Sequence, residues 1–200
     1  MSVREYCPCG AEAVCGVKPH ISIHIGEYHA SREPTVVNTV LGSCVAVCLF
    51  DPESRIGGVN HILLPGKADM GHFDVSARYG INAMELLINR MLGIGADRSR
   101  LVAKVFGGAH VIPAISPENG TGEKNVAFVM AFLEKEKICV LSKDVGGSDS
   151  RRIYFHTDTG HVFLKRVAPA LQMRIRQKEA LKIRRVRKEV HRPGEVTLWE

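Results

Sequence analysis

A thiol and an imidazole stand seventeen residues apart in a stretch that folds the chain back on itself. Cys44 closes the segment Thr39-Val-Leu-Gly42-Ser43-Cys44, in which Gly and Ser permit a tight turn. The run that follows, Val45-Ala-Val-Cys48-Leu-Phe50, has the apolar and β-branched content of a buried strand and stops at Asp51-Pro52. A cysteine at such a junction can present its sulfur while the next residues bury. A thiol attacks only as thiolate, and with a free pKa of about 8.5 it needs a base beside it. His61 lies in Gly57-Gly-Val-Asn-His61-Ile-Leu-Leu64, which reads as the hairpin partner of the first strand. Paired strands run about 4.8 Å apart, so the hairpin brings the two side chains within reach. The chemistry of such a pair is nucleophilic attack by sulfur on an acyl carbon. The competing reading is that Cys44 is a small buried hydrophobe, as Cys48 and Cys139 are expected to be.

The elements that must hold this pair follow from periodicity. Residues 22–28 read as a short opening strand, and residues 66–75 as a polar loop after Pro65. Apolar residues recur at three- and four-residue spacing over 76–92 (Tyr79-Gly80, Ala83-Met84, Leu87-Ile88, Met91-Leu92), which predicts a helix ended by Gly93. A strand is expected at 101–106, a helix at 123–135 and a strand at 138–141. A hairpin of 152–156 and 161–167 turns through Asp158-Thr159-Gly160. This order predicts the α/β class, as a single-domain α/β sandwich in which helices pack on a mixed sheet.

Composition sets the outer limits. The chain has 200 residues, 45% hydrophobic and 24% charged, which excludes a wholly disordered chain and leaves enough apolar mass for a core. The longest uncharged apolar run, residues 39–50, falls short of the ~20 residues a bilayer span needs. No signal-peptide core opens the chain, so a cytoplasmic location with reduced cysteines is expected. The net charge of +6 is concentrated at the end: residues 168–200 hold nine Lys and Arg against four Glu. The rest is nearly neutral, which argues against a body that grips nucleic acid. The basic tail reads either as an amphipathic helix carrying Leu171, Ile175, Leu181, Ile183 and Val186, or as a solvated extension. Residues 1–20 lack any apolar period and read as an irregular arm. Its Cys7, Cys9 and Cys15, with His20 or His24, lack the paired Cys-x₂₋₄-Cys spacing of structural zinc sites. Gly107-Gly108 and Gly146-Gly147 lack a phosphate-loop pattern and are expected to turn the chain at strand ends. Asp144 and Asp149 near Arg151 are expected to form a surface ion pair.

Residues 38–52, Asn38-Thr-Val-Leu-Gly-Ser-Cys44-Val-Ala-Val-Cys-Leu-Phe-Asp-Pro52, resemble the CheD family of chemoreceptor glutamine deamidases of bacterial and archaeal chemotaxis. So does the block Ile56-Gly-Gly-Val-Asn-His61-Ile-Leu-Leu-Pro65 that follows. The resemblance continues through Phe106-Gly-Gly-Ala109, Gly122-Glu-Lys-Asn125-Val-Ala127, Asp144-Val-Gly-Gly147, Arg151-Arg-Ile-Tyr-Phe155, Thr159-Gly-His-Val162 and Lys165-Arg166. It implies a deamidase domain at 21–167, similar to the catalytic domain of cytotoxic necrotizing factor toxins. It also implies that Cys44 is the nucleophile and His61 the base, with no metal and no cofactor. The family's third active-site residue is an upstream threonine. Thr39 takes that place here, while Asn38 stands where some members have the threonine. His110-Val-Ile-Pro113 replaces a methionine commonly found after Gly-Gly-Ala. In the implied reaction a glutamine side chain becomes glutamate through a thioester, with the oxyanion held by backbone N–H groups around Gly42, Ser43 and Cys44. The implied substrates are methyl-accepting chemotaxis receptors, read at exposed glutamines on a helix through an open, shallow site. A CheC-type phosphatase is the implied second partner. The alternative is an adaptor that binds CheC and receptors with little catalysis.

Overall fold

The strand after Cys44 shows no polar alternation because both of its faces are covered. The computed structural model describes residues 18–110, 120–167 and 169–190. The elements run β1 (His20–Ser22), β2 (Tyr28–Ser31), β3 (Val36–Leu41), β4 (Val45–Asp51), β5 (Ile56–Ile62), α1 (Val75–Gly93), β6 (Val102–Gly107), α2 (Thr121–Lys135), β7 (Cys139–Val145), β8 (Arg151–His156), β9 (Val162–Arg166) and α3 (Pro169–Val190). Five strands form one sheet in the order β2-β5-β4-β6-β7, and four form a second in the order β1-β3-β8-β9. Both are mixed: β6 pairs with β7, and β1 with β3, in parallel, and the other pairs are antiparallel.

The period of two along β4 sorts its side chains between two cores. Val45, Val47 and Leu49 face α1 and α2, among Met84, Leu87, Ile88, Phe128, Phe132 and Leu133. Cys44, Ala46 and Cys48 face the second sheet, where Val37, Leu41, Ile153 and Phe155 meet them. The molecule is thus layered as helices, five-stranded sheet, four-stranded sheet. The α/β class holds, with two mixed sheets where the sequence suggested one.

Other expectations change in detail. The strand expected over 22–28 is split into β1 and β2, because Gly26 at φ 87° turns the chain and Glu27 caps it by accepting from His24 N–H at 2.9 Å. Residues 36–41, where no strand was expected, form β3, whose antiparallel partner β8 lies more than a hundred residues away. Cys139 is exposed rather than buried, since β7 is an edge strand with no neighbour on its outer side. Arg151 is 1% exposed, not a surface group. It bonds the Asp144 carboxylate and the carbonyls of Asp144, Gly146 and Asp149, and so ties down the turn between β7 and β8. Gly107, Gly108, Gly146 and Gly147 all have positive φ at strand ends, as expected of turn glycines.

The basic segment forms α3 and is not simply solvated. Val186 and Glu179 are buried, and Ile183 packs on the inter-sheet core, while Met173 and Leu181 face water. Cys7, Cys9, Cys15 and the segment Val111-Ile-Pro113 lie outside the described residues. Among the described residues no helix is long and apolar enough to cross a membrane.

Candidate active site

Strand register puts the thiol and the imidazole on one face. Ala46 pairs with His61 and Val45 with Ile62 across the β4–β5 hairpin. Cys44, two residues before Ala46, therefore sits diagonally across from His61, on the face turned to the second sheet. Diagonal neighbours on paired strands lie about 7–8 Å apart at the backbone, within reach of side chains that lean together.

Thr39 reaches His61 from the opposite sheet. Its side chain on β3 points into the sandwich, and its Oγ1 lies 2.8 Å from His61 Nδ1. The same hydroxyl donates its one proton to the carbonyl of Ile23, also at 2.8 Å. Nδ1 must then be the protonated nitrogen, donating to Thr39, and Nε2 carries the free lone pair. Nε2 is buried with no hydrogen-bond partner among the described residues. Asn38, the alternative to Thr39, points elsewhere and donates to the carbonyl of Ile21. The turn after β1 braces the histidine through its backbone: Gly26 N–H donates to His61 C=O at 2.8 Å, and His61 N–H donates to Glu27 C=O at 3.0 Å.

The loop of residues 42–44 is fixed by its carbonyls. Ala109 N–H donates to Gly42 C=O at 2.7 Å, Asn125 Nδ2 to Ser43 C=O at 2.8 Å, and Gly108 N–H to Cys44 C=O at 2.7 Å. The first two bonds pin the peptide planes that carry the N–H groups of Ser43 and Cys44, which turns those donors the other way. Gly107 makes the close approach possible. At φ 112° it has no side chain, and a Cβ there would collide with the Cys44 carbonyl oxygen. Asn125 is fully buried, and its Oδ1 accepts from Leu64 N–H at 2.9 Å, so one side chain ties α2 to both strands at the open end of the hairpin.

The donors of the loop are occupied. The Glu179 carboxylate of α3 accepts from Gly42 N–H at 3.1 Å, Ser43 N–H at 3.1 Å, Ser43 Oγ at 2.7 Å and Cys44 N–H at 3.4 Å. Gly42 lets it in: a Cβ on that residue would stand 2.8 Å from Glu179 Oε1. Consequently the sulfur is not presented to solvent as the sequence suggested, and the site is not open and shallow; Cys44 is 0% exposed. Burial, and after it the charge and hydrogen bonding of Glu179, push the Cys44 thiol well above its ordinary pKa. Burial, assisted by His24, lowers His61 to about 3. In this state the pair is a neutral thiol and a neutral imidazole. Beside it a cavity of about 590 Å³ opens between β1, the turn after it, β3 and α3, lined by Thr39, His61, Arg174, Lys178 and Lys182 among others.

Thr39 and His61 are thus joined by a direct hydrogen bond, while Cys44 lies diagonally across the hairpin from His61, beside the backbone donors of Gly42, Ser43 and Cys44, with no hydrogen bond from its sulfur to His61 Nε2. Sequence reasoning missed Asn125 and Glu179. The first stands in a family-like block without an assigned role, and the second sits as an acid in a basic tail. No group of His, Cys, Asp or Glu suited to a metal occurs among the described residues.

Two facing mixed sheets, with helices packed on one of them, define a protein of the α/β sandwich class. The particular family follows from comparison. The family model for CheD chemotactic sensory transduction matches residues 63–166. A probable chemoreceptor glutamine deamidase CheD 1 of Shewanella oneidensis is 47% identical over 149 residues, covering 74% of this chain and 72% of its own. A protein of the same name from Anaeromyxobacter dehalogenans is 42% identical over 152 residues, 76% of this chain and 87% of its own. The probable deamidase CheD 2 of Chromobacterium violaceum is 43% identical over 148 residues, 74% and 73% of the two chains. The chain belongs to the CheD family.

Proposed function

We propose that this protein is a chemoreceptor glutamine deamidase, with Cys44 as nucleophile, His61 as general base and acid, and Thr39 as the group that orients the imidazole. The observation that carries the reading is the relay Ile23 C=O, Thr39 Oγ1, His61 Nδ1, which leaves a lone pair on a buried, unpartnered Nε2. An adaptor would have no use for that nitrogen. The names of the relatives supply the substrate class.

The steps use only these groups and water. His61 Nε2 takes the thiol proton as Cys44 Sγ attacks the side-chain amide carbon of a receptor glutamine. The amide oxygen becomes an oxyanion that accepts from the N–H groups of Gly42, Ser43 and Cys44, held in place before the substrate arrives. The imidazolium returns its proton to the departing nitrogen, and ammonia leaves. Water, giving its proton to His61, opens the thioester; the sulfur leaves and glutamate remains. Residues 21–167 carry all of these groups, and the reaction belongs in the cytoplasm, where receptor signalling helices lie. Incubation with a receptor fragment should raise the mass of a glutamine-bearing peptide by ~1 Da, the covalent mark of Gln-to-Glu conversion. No gain, from a folded protein on receptor fragments of its own cell, overturns the reading.

A further inference from the structure

The inward stripe of α3 runs through Ile175, Glu179, Ile183 and Val186, spaced as one face of a helix. Three of the four are aliphatic, as a docking face requires. A carboxylate at the centre of that stripe is costly unless it is satisfied. Glu179, 4% exposed, is satisfied entirely by the loop of residues 42–44: three backbone N–H groups and the Ser43 hydroxyl. Among the described residues no basic side chain forms an ion pair with it. Its position is therefore set by the donors that the proposed reaction assigns to the oxyanion. A glutamate side chain on a helix is also the chemical product of that reaction, delivered on the same kind of element.

We propose that the seat of α3 is the groove for a substrate helix, and that α3 occupies it as an internal product analogue which must leave before a receptor helix can enter. The inference rests on the deamidase reading and adds to it how the site recognises its substrate and what closes it. The groove takes a helix whose central residue is Gln or Glu, flanked at four-residue spacing by aliphatic side chains. Gly42 is the floor of the seat, open to a planar amide or carboxylate and closed by any larger residue. The nucleophile follows two residues further along the same loop.

The test is the full-length variant Glu179→Gln, which makes α3 a tethered substrate. Cys44 Sγ attacks the side-chain amide carbon of the introduced glutamine, ammonia leaves, and water hydrolyses the thioester, so position 179 returns to glutamate. Peptide mass spectrometry should find glutamate at position 179 in this variant. It should find glutamine there in the double variant Glu179→Gln/Cys44→Ala, which also serves as the folding control. The conversion should proceed at a rate independent of protein concentration. In parallel, Glu179→Ala should raise turnover of a receptor fragment about tenfold or more, since the open state no longer competes with its own helix. An introduced glutamine that stays intact, in a folded Glu179→Gln variant that deamidates the receptor fragment, overturns the internal-analogue proposal alone. Failure of every folded variant to deamidate either substrate overturns the deamidase reading and this proposal together.

Discussion

Cys44 and Cys48 lie on the same face of β4, both buried and both with thiols raised by burial, Cys48 above the ordinary thiol range. What separates them is position. Only Cys44 belongs to the donor loop, its N–H lying beside those of Gly42 and Ser43. Cys44→Ala should abolish deamidation with the fold intact, whereas Cys48→Ala should leave turnover near normal; equal losses at matched stability would contradict the assignment. His61→Asn should slow the chemical step by about 10²-fold or more. The same substitution has a stability signature. His61 is held at about 3 in the folded chain against 6.5 for the free group, so below pH 6.5 the unfolded chain takes up a proton that the folded chain refuses. Stability on this account is intact above pH 6.5 and falls by up to about 1.4 kcal/mol per unit as the pH drops towards 3. Denaturant titrations at pH 7 and pH 5 should show that His61→Asn loses less on acidification than the parent does. The Cys–His pair itself was legible in the sequence because a hairpin fixes it locally. Thr39, five residues before Cys44, was legible only through family resemblance, since it belongs to β3 in the other sheet and no local pattern sets that strand against His61.

At the scale of elements the site depends on carbonyls held by groups from α2 and the end of β6. Asn125→Ala strands Ser43 C=O and Leu64 N–H in the interior, at about 1–3 kcal/mol for each group left unpaired. It also frees the peptide plane that aims Cys44 N–H. The expected result is a lower melting temperature with a fall in kcat of about tenfold or more and little change in KM, because the donors act on the oxyanion rather than on the bound amide. A loss of stability with unchanged kcat would leave Asn125 a purely structural residue. Gly42→Ala acts on the seat itself: the added Cβ, 2.8 Å from the carboxylate oxygen now bound, should exclude any amide from the same place. The periodicities of α1, α2 and the β4–β5 hairpin were readable because each buries a face against neighbours close in sequence. By contrast β3 pairs with β8, whose residues follow at a distance no local pattern reports, and the split between β1 and β2 turns on a single glycine.

For the molecule as a whole, the hairpin that carries the site is anchored at its far end by Asp51. This buried carboxylate accepts from Arg100 Nη2 at 2.8 Å, Arg100 Nε at 3.0 Å and the N–H groups of Glu53, Ser54 and Asp97. The Arg100 contact holds its pKa far below the ordinary 3.8, so its contribution is present above that pH and is lost as the pH falls further. The acid limb of a stability profile should therefore have two parts, one from His61 beginning near neutrality and one from Asp51 below pH 4; Asp51→Asn should remove the second and lower the plateau. The basic composition of residues 168–200 gave no hint that the tail closes the site, because a single acid does not alter the average of so basic a segment. Only two residues, 167 and 168, separate the end of β9 from the start of α3. So short a leash gives the helix an effective molarity at its own seat, on the order of millimolar for short flexible tethers. A solitary receptor in dilute solution competes poorly against such a neighbour. Receptors packed side by side, each offering several helices within reach of one enzyme, compete on equal terms, and modification would then track how densely receptors are gathered rather than how many the cell contains.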